Sequence, residues 1–100
     1  MKKRLKHINV RLTDGDRDAL ERRAEREGLT VSETVRSLLF DITHHLQMRE
    51  QPEPWLMRRY HYRGSCTSRL DVNVPAQICE FLALNGYNLT TCLLYQLHGN

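Results

Sequence analysis

Three polar side chains near the start of the chain alternate with apolar residues: His7, Asn9 and Arg11. Successive side chains of an extended strand point to opposite faces, so these three would project together from one face. In the major groove of DNA, arginine pairs well with the edge of guanine and asparagine with the edge of adenine. These residue types therefore favour hydrogen bonding to base edges by Asn9 and Arg11, joined by His7.

A single strand with this pattern needs a partner, because unpaired amides and carbonyls at a strand edge invite pairing with another strand. Two copies of residues 8–12 pairing antiparallel about a two-fold axis would present six polar side chains, and the major groove admits such a two-stranded ribbon. The alternative is an ordinary edge strand whose outer face meets only water.

Helical signals follow the strand. Thr13 is suited to cap a helix that ends at Gly28, because glycine readily adopts the left-handed conformation that follows a last helical turn. Thr30 and Glu33 have the spacing of a capping box, which begins a second helix with an apolar stripe reaching Ile42. The sequence thus predicts a strand, a helix, a glycine turn and a capped helix.

This order over residues 4–42 resembles the ribbon-helix-helix family of DNA-binding proteins, of the Arc and MetJ type. The resemblance implies a mainly α fold with short strands, built as an intertwined dimer through an antiparallel intermolecular two-stranded ribbon. The apolar residues that it places in the dimer core are Ile8, Val10, Leu12, Leu20, Val35, Leu38 and Leu39.

The resemblance also implies contacts to the DNA backbone beside the ribbon. The start of the second helix offers amides and hydroxyls where the helix dipole favours an anion. The basic arm at residues 1–6 is either a solvated tail or a source of salt-dependent phosphate contacts, and its place beside the strand favours contacts. The predicted phosphate-binding residues are Lys2, Lys3, Arg4, Lys6, Thr30, Val31 and Ser32.

The last third of the chain repeats the pattern of the first. Residues 70–75 alternate as residues 8–12 do, at an offset of 62, and residues 86–90 match residues 28–32 at an offset of 58. The offsets differ by four residues, about one helical turn. We predict a second, degenerate ribbon-helix-helix unit, with chance similarity as the alternative. Because Arg69 is its one basic residue, we expect this unit to serve the dimer or a protein partner more than DNA.

The predicted organisation is a DNA-binding domain at 1–48, a linker with basic and aromatic residues at 49–64, and the second unit at 65–100. The linker either packs as a strand or helix extension or contacts nucleic acid. Its possible auxiliary DNA contacts are Arg58, Arg59 and Arg63.

Composition narrows the function classes. A net charge of +3 is a mild bias toward a polyanionic partner. With neither a membrane-spanning apolar run nor a signal-peptide core, we expect a cytoplasmic protein. The three cysteines lack a Cys-x-x-Cys pair, and adjacent His44 and His45 make a poor metal pair, so neither a metal nor a cofactor is expected. No catalytic motif argues for an enzyme.

These observations together predict a homodimer that binds specific double-stranded DNA and regulates transcription, with higher assembly on DNA possible. One alternative is an accessory DNA-binding protein of a plasmid relaxation complex in conjugation, or of a partition system. Another is an antitoxin-like protein whose C-terminal half covers a partner enzyme, and an ordered C-terminal half would count against it.

Overall fold

The computed structural model describes residues 4–48 and 67–98. Within these ranges the order strand, helix, helix occurs twice, and the two strands form one antiparallel sheet. The elements are β1 (Leu5–Leu12), α1 (Asp14–Glu27), α2 (Val31–Gln47), β2 (Ser68–Pro75), α3 (Ala76–Leu84) and α4 (Leu89–His98). The prediction of a mainly helical protein with short strands is confirmed. None of the helices in these ranges has the length and apolar character needed to cross a membrane.

The two-stranded ribbon joins the two halves of one chain. β1 pairs antiparallel with β2, and Asn9 lies opposite Asp71. This corrects the expectation that two different chains would form the ribbon. β2 shows the same alternation as β1, and a strand tethered in the same chain is present at a far higher effective concentration than one in another molecule. One chain therefore completes the ribbon without an intertwined partner.

The pairing register follows the repeat in the sequence. Asn9 and Asp71 are equivalent positions of the two copies, 62 residues apart, and they face each other across the ribbon. In a two-fold symmetric antiparallel ribbon, only the residue on the axis faces its own equivalent. A pseudo-two-fold axis therefore passes through the Asn9 and Asp71 pair.

The helix pairs repeat the same turn. Gly28 and Gly86, 58 residues apart, have φ angles of 69° and 77°, which lie in the left-handed region. The amide after each glycine donates to the carbonyl five residues earlier, at 2.9 Å in the first copy and 2.8 Å in the second. This hydrogen bond is the Schellman closure of a helix end, so both copies end their first helix in the same way.

The second helix of each copy begins with a side-chain cap. Thr30 Oγ1 accepts the amide of Glu33 at 3.1 Å, and Glu33 Oε1 accepts the amide of Thr30 at 3.0 Å, which confirms the predicted capping box. At the position equivalent to Thr30, Asn88 Oδ1 accepts the amide of Thr91 at 3.0 Å. The repeat at offset 58 therefore extends to the start of α4.

The two copies share a single hydrophobic core, with α2 packed against α4 at its centre. Each copy is too short to bury much apolar surface alone, so a joint core is the stable arrangement. Of the residues predicted for a dimer core, Ile8 is half-buried against this cluster and the others are buried in it, all within one chain: Val10, Leu12, Leu20, Val35, Leu38 and Leu39. The second copy contributes Leu70, Val72, Val74, Ile78, Leu82, Cys92, Leu93 and Leu94.

Two arginines from the first copy hold β2 in place. Arg17 of α1 donates from Nη1 to the carbonyl of Arg69 at 3.0 Å, and Arg36 of α2 donates from Nη1 to the carbonyl of Asn73 at 3.1 Å. These bonds tie the backbone of β2 to both helices that follow β1, and they fix the ribbon relative to the helical layer.

Candidate nucleic-acid interface

The ribbon has one apolar face, packed on the helices, and one polar face. We call the polar one the outer ribbon face; its side chains are exposed and form three cross-strand pairs. The pairs are His7 with Asn73, Asn9 with Asp71, and Arg11 with Arg69. The three residues predicted to contact bases thus lie together on one exposed face. β2 supplies the three side chains that a second chain was expected to provide.

A carboxylate occupies the centre of the outer ribbon face. Asn9 donates from Nδ2 to Oδ1 of Asp71 at 2.8 Å, and Nε2 of His7 lies 3.5 Å from the same oxygen. The side chains of His7 and Asp71 are 65% and 64% exposed, so the cluster is open to a ligand. Asp71 therefore orients Asn9 and places one negative charge between the predicted base contacts.

One end of the outer ribbon face carries a concentration of positive charge. Arg11 lies opposite Arg69, and like charges facing each other across a ribbon are unfavourable. The guanidinium of Arg17 lies beside them through its bond to the carbonyl of Arg69, but its charge is offset by Glu21, whose Oε1 accepts from Nε of Arg17 at 3.2 Å. A hydrogen-bond acceptor or an anion placed between the two strands at this end would relieve the repulsion.

The start of α2 is the second part of the predicted interface. The capping box uses the amides of Thr30 and Glu33, and the amides of Val31 and Ser32 in the same turn have no acceptor among the residues that the structure describes. These two amides could donate hydrogen bonds to a phosphate oxygen. The carboxylate of Glu33 opposes this, because the hydrogen bonds from the backbone amide and the hydroxyl of Thr30 lower its pKa and keep it charged.

The basic arm is described only in part. Arg4 and Lys6 are exposed, and the carbonyl of Arg4 accepts the amide of Ala76 at 2.8 Å, which anchors the beginning of β1 to the beginning of α3. Other predicted phosphate and auxiliary contacts lie outside the described residues: Lys2, Lys3, Arg58, Arg59 and Arg63. The side chain of Lys6 points to the opposite face from that of His7 and lies near Cys79 of α3, so it is not part of the outer ribbon face.

Comparison with known proteins shows that part of the chain is similar to one protein family. Residues 2–50 match the model of a protein family described as NikA-like, mobilization protein NikA, which is a ribbon-helix-helix family. The first half of this chain is similar to mobilization proteins. The match covers β1, α1 and α2, just under half of the chain. No curated protein and no solved structure matches the chain.

The similarity to mobilization proteins ends before β2, yet β2 supplies half of the outer ribbon face. The predicted DNA contacts leave out Arg69, Asp71 and Asn73, because Arg69 is the one basic residue of the second copy. The alternation at offset 62 was the signal that could have identified them. A strand that repeats the pattern of β1 and pairs with it must show its polar residues on the same side.

The described residues contain no competing metal site, since none of their His, Cys, Asp and Glu side chains form a group of three or more that could hold an ion.

Away from the ribbon, a shallow groove runs between α1 and the end of α4. It is lined by Ala19, Arg22, Arg23, Arg26 and Leu97. Arg23 pairs with Glu27 at 3.0 Å, as expected for charged residues on a solvated helix face.

Proposed function

We propose that this protein binds duplex DNA through the outer ribbon face and acts as an accessory DNA-binding protein in plasmid mobilization. The observation that carries the proposal is the pairing of β1 with β2, which puts three exposed polar pairs on a two-stranded ribbon backed by a packed core. The similarity of residues 2–50 to mobilization proteins supports the plasmid setting.

The ribbon lies in the major groove, which is wide enough for two strands. Arg11 and Arg69 donate to guanine edges, and Asn9 contacts base edges at the centre of the ribbon. Each good pair of this kind discriminates against the wrong base by about 1–3 kcal/mol. The free amides of Val31 and Ser32 hold a phosphate and fix the orientation of the ribbon, while the basic arm adds contacts that weaken with salt.

One chain is the unit that contacts one DNA element, because the ribbon and its core are complete within it. Homodimerisation is then not required for folding, and additional copies assemble where the DNA carries additional elements. Transcriptional regulation would use the same contacts and remains a prediction.

The antitoxin alternative receives no support from the second half of the chain. Residues 68–98 form β2, α3 and α4, and they bury Leu82, Leu93 and Leu94 in the shared core. Segments that cover a partner enzyme usually fold only when they bind it. Most apolar residues of this half are instead used to complete the protein's own fold.

The proposal is tested by footprinting the purified protein on DNA of its source plasmid, followed by titration of the protected duplex and a scrambled duplex. Arg11→Ala should weaken binding to the protected duplex by about 1–3 kcal/mol and reduce its advantage over the scrambled one. Arg22→Ala, on α1, is the matched control with the same charge change and should keep that advantage. Equal affinity of the unmodified protein for both duplexes would refute the proposal.

A further inference from the structure

We infer that the outer ribbon face recognises a non-palindromic DNA element in one orientation, with Asp71 as the central specificity residue that selects cytosine. The inference rests on the proposed function and adds the class of DNA sequence that the ribbon prefers. The two ends of the outer ribbon face carry different side chains, and the carboxylate of Asp71 lies at its centre. Both observations support the inference.

The pseudo-two-fold axis allows the two ends of the outer ribbon face to be compared pair by pair. In a ribbon of two identical strands, the cross-strand pairs on either side of the axis would be identical, and the preferred DNA would be palindromic. Here the pair on one side of Asn9 is Arg11 with Arg69, and the pair on the other side is His7 with Asn73. One end therefore carries two guanidinium groups, whereas the other end carries an imidazole and an amide.

The arginine end sets the orientation. Arginine donates two hydrogen bonds to O6 and N7 of guanine, which is the base edge richest in acceptors. Since Arg11 and Arg69 lie opposite each other, guanines beneath them satisfy the donors and relieve the repulsion between the two charges. The end with His7 and Asn73 has no arginine, so guanine at that end contributes less to the binding free energy. Rotating the protein by 180° on the same element therefore costs affinity.

The central carboxylate selects the base. Oδ1 of Asp71 already accepts from Asn9, and the described residues offer no hydrogen-bond donor to Oδ2. An ionised carboxylate can only accept, so it needs a donor from the base edge. Cytosine offers its N4 amine, whereas adenine places the acceptor N7 beside its N6 amine and repels the carboxylate. Asp71 thus favours cytosine and opposes DNA that offers it no donor.

The experiment is selection of duplexes from a randomised pool by three full-length proteins: unmodified, Asp71→Asn and Asp41→Asn. Asparagine keeps the shape of Asp71 but can both donate and accept, which matches adenine. Asp41 is exposed on α2, so Asp41→Asn makes the same charge change away from the ribbon. Thermal melting by circular dichroism checks that all three proteins are folded.

The unmodified protein should select a non-palindromic element with guanines at one end and a cytosine at its centre. Asp71→Asn should shift the central preference from cytosine toward adenine by at least about fivefold, while Asp41→Asn should leave the preferred element unchanged. Asp71→Asn should also bind unrelated duplexes more tightly, because a charge that repels phosphate is gone.

A palindromic element would overturn the inference, as would the same central base for the unmodified protein and Asp71→Asn. Either result would leave the proposed function intact, since both require selective binding of DNA. If the unmodified protein enriches no sequence from the pool, the proposed function fails together with the inference.

Discussion

Nε2 of His98 lies 2.7 Å from Oδ1 of Asp16, and this contact joins the last turn of α4 to the first turn of α1. The side chain of Asp16 is only 12% exposed, and its Oδ2 accepts the hydroxyl of Thr13 at 2.9 Å. The contact therefore links the end of the second copy to the cap of the first helix. Removing the imidazole leaves a largely buried carboxylate with one partner fewer.

His98→Ala should lower the free energy of unfolding by about 1–3 kcal/mol, the range for a buried polar group that loses a partner. Urea denaturation followed by circular dichroism measures the change. His44→Ala is the matched control, because His44 is exposed near the end of α2. Equal stability of the two variants would show that the contact to Asp16 does not stabilise the fold.

Replacing Gly28 or Gly15 with alanine should change the stability of the protein in opposite directions. Gly28 has a φ of 69°, where a side chain is strained, so Gly28→Ala should destabilise the protein by about 1 kcal/mol. Gly15 lies inside α1, and an added Cβ would meet its nearest atom, Thr13 Oγ1, at 3.9 Å. Gly15→Ala should therefore stabilise the protein by about 0.5–1 kcal/mol. Thermal unfolding of both variants gives the signs, and a change of the same sign in both would contradict this account.

Much of the first copy could be predicted from sequence because its signals are local. The alternation before Thr13, the left-handed Gly28 and the capping box of Thr30 with Glu33 each act over a few residues. The structure has β1, α1 and α2 where these signals predict them. Positions of the exposed side chains on β1 followed from the same alternation.

The partner of β1 could not be settled in this way. Strand pairing joins residues far apart, and the alternation of β1 fits a second β1 or β2 equally well. The central bond from Asn9 to Asp71 depends on the register, so it becomes visible only once the strands are paired. The offset of 62 identifies Asn9 and Asp71 as equivalent positions, but it does not say which equivalent pair lies on the two-fold axis.

Cys92 should be unreactive in the folded protein. Burial raises the pKa of its thiol to about 12, and its side chain is enclosed in the shared core. Since the thiolate is the reactive form, iodoacetamide at neutral pH should modify Cys92 only after unfolding. Mass spectrometry of the peptides quantifies labelling at Cys92, and Cys79, which is half-buried, is the internal comparison. Rapid labelling of Cys92 under native conditions would show that the core opens readily.

The melting temperature should not depend on protein concentration. A protein whose core is built between two chains becomes more stable as concentration rises, through mass action. Here Leu12, Leu38 and Leu93 are buried within one chain. Thermal unfolding over a hundredfold range, about 1 to 100 μM, distinguishes the two cases. A steady rise in melting temperature would restore the intertwined dimer that the sequence first indicated.

Acid should remove the contribution of the α2 capping box. The amide and the hydroxyl of Thr30 lower the pKa of Glu33 in the folded protein below its ordinary value. A lowered pKa means that the ionised form stabilises the fold above the ordinary value, and that this contribution is lost as the pH falls through the folded value. Unmodified protein should therefore melt at a higher temperature than Glu33→Gln at pH 7, and the difference should shrink toward about pH 3. Glu25→Gln, at an exposed position of α1, is the matched control with the same charge change. A gap between the unmodified protein and Glu33→Gln that stays constant with pH would show that the carboxylate charge is not what strengthens the cap.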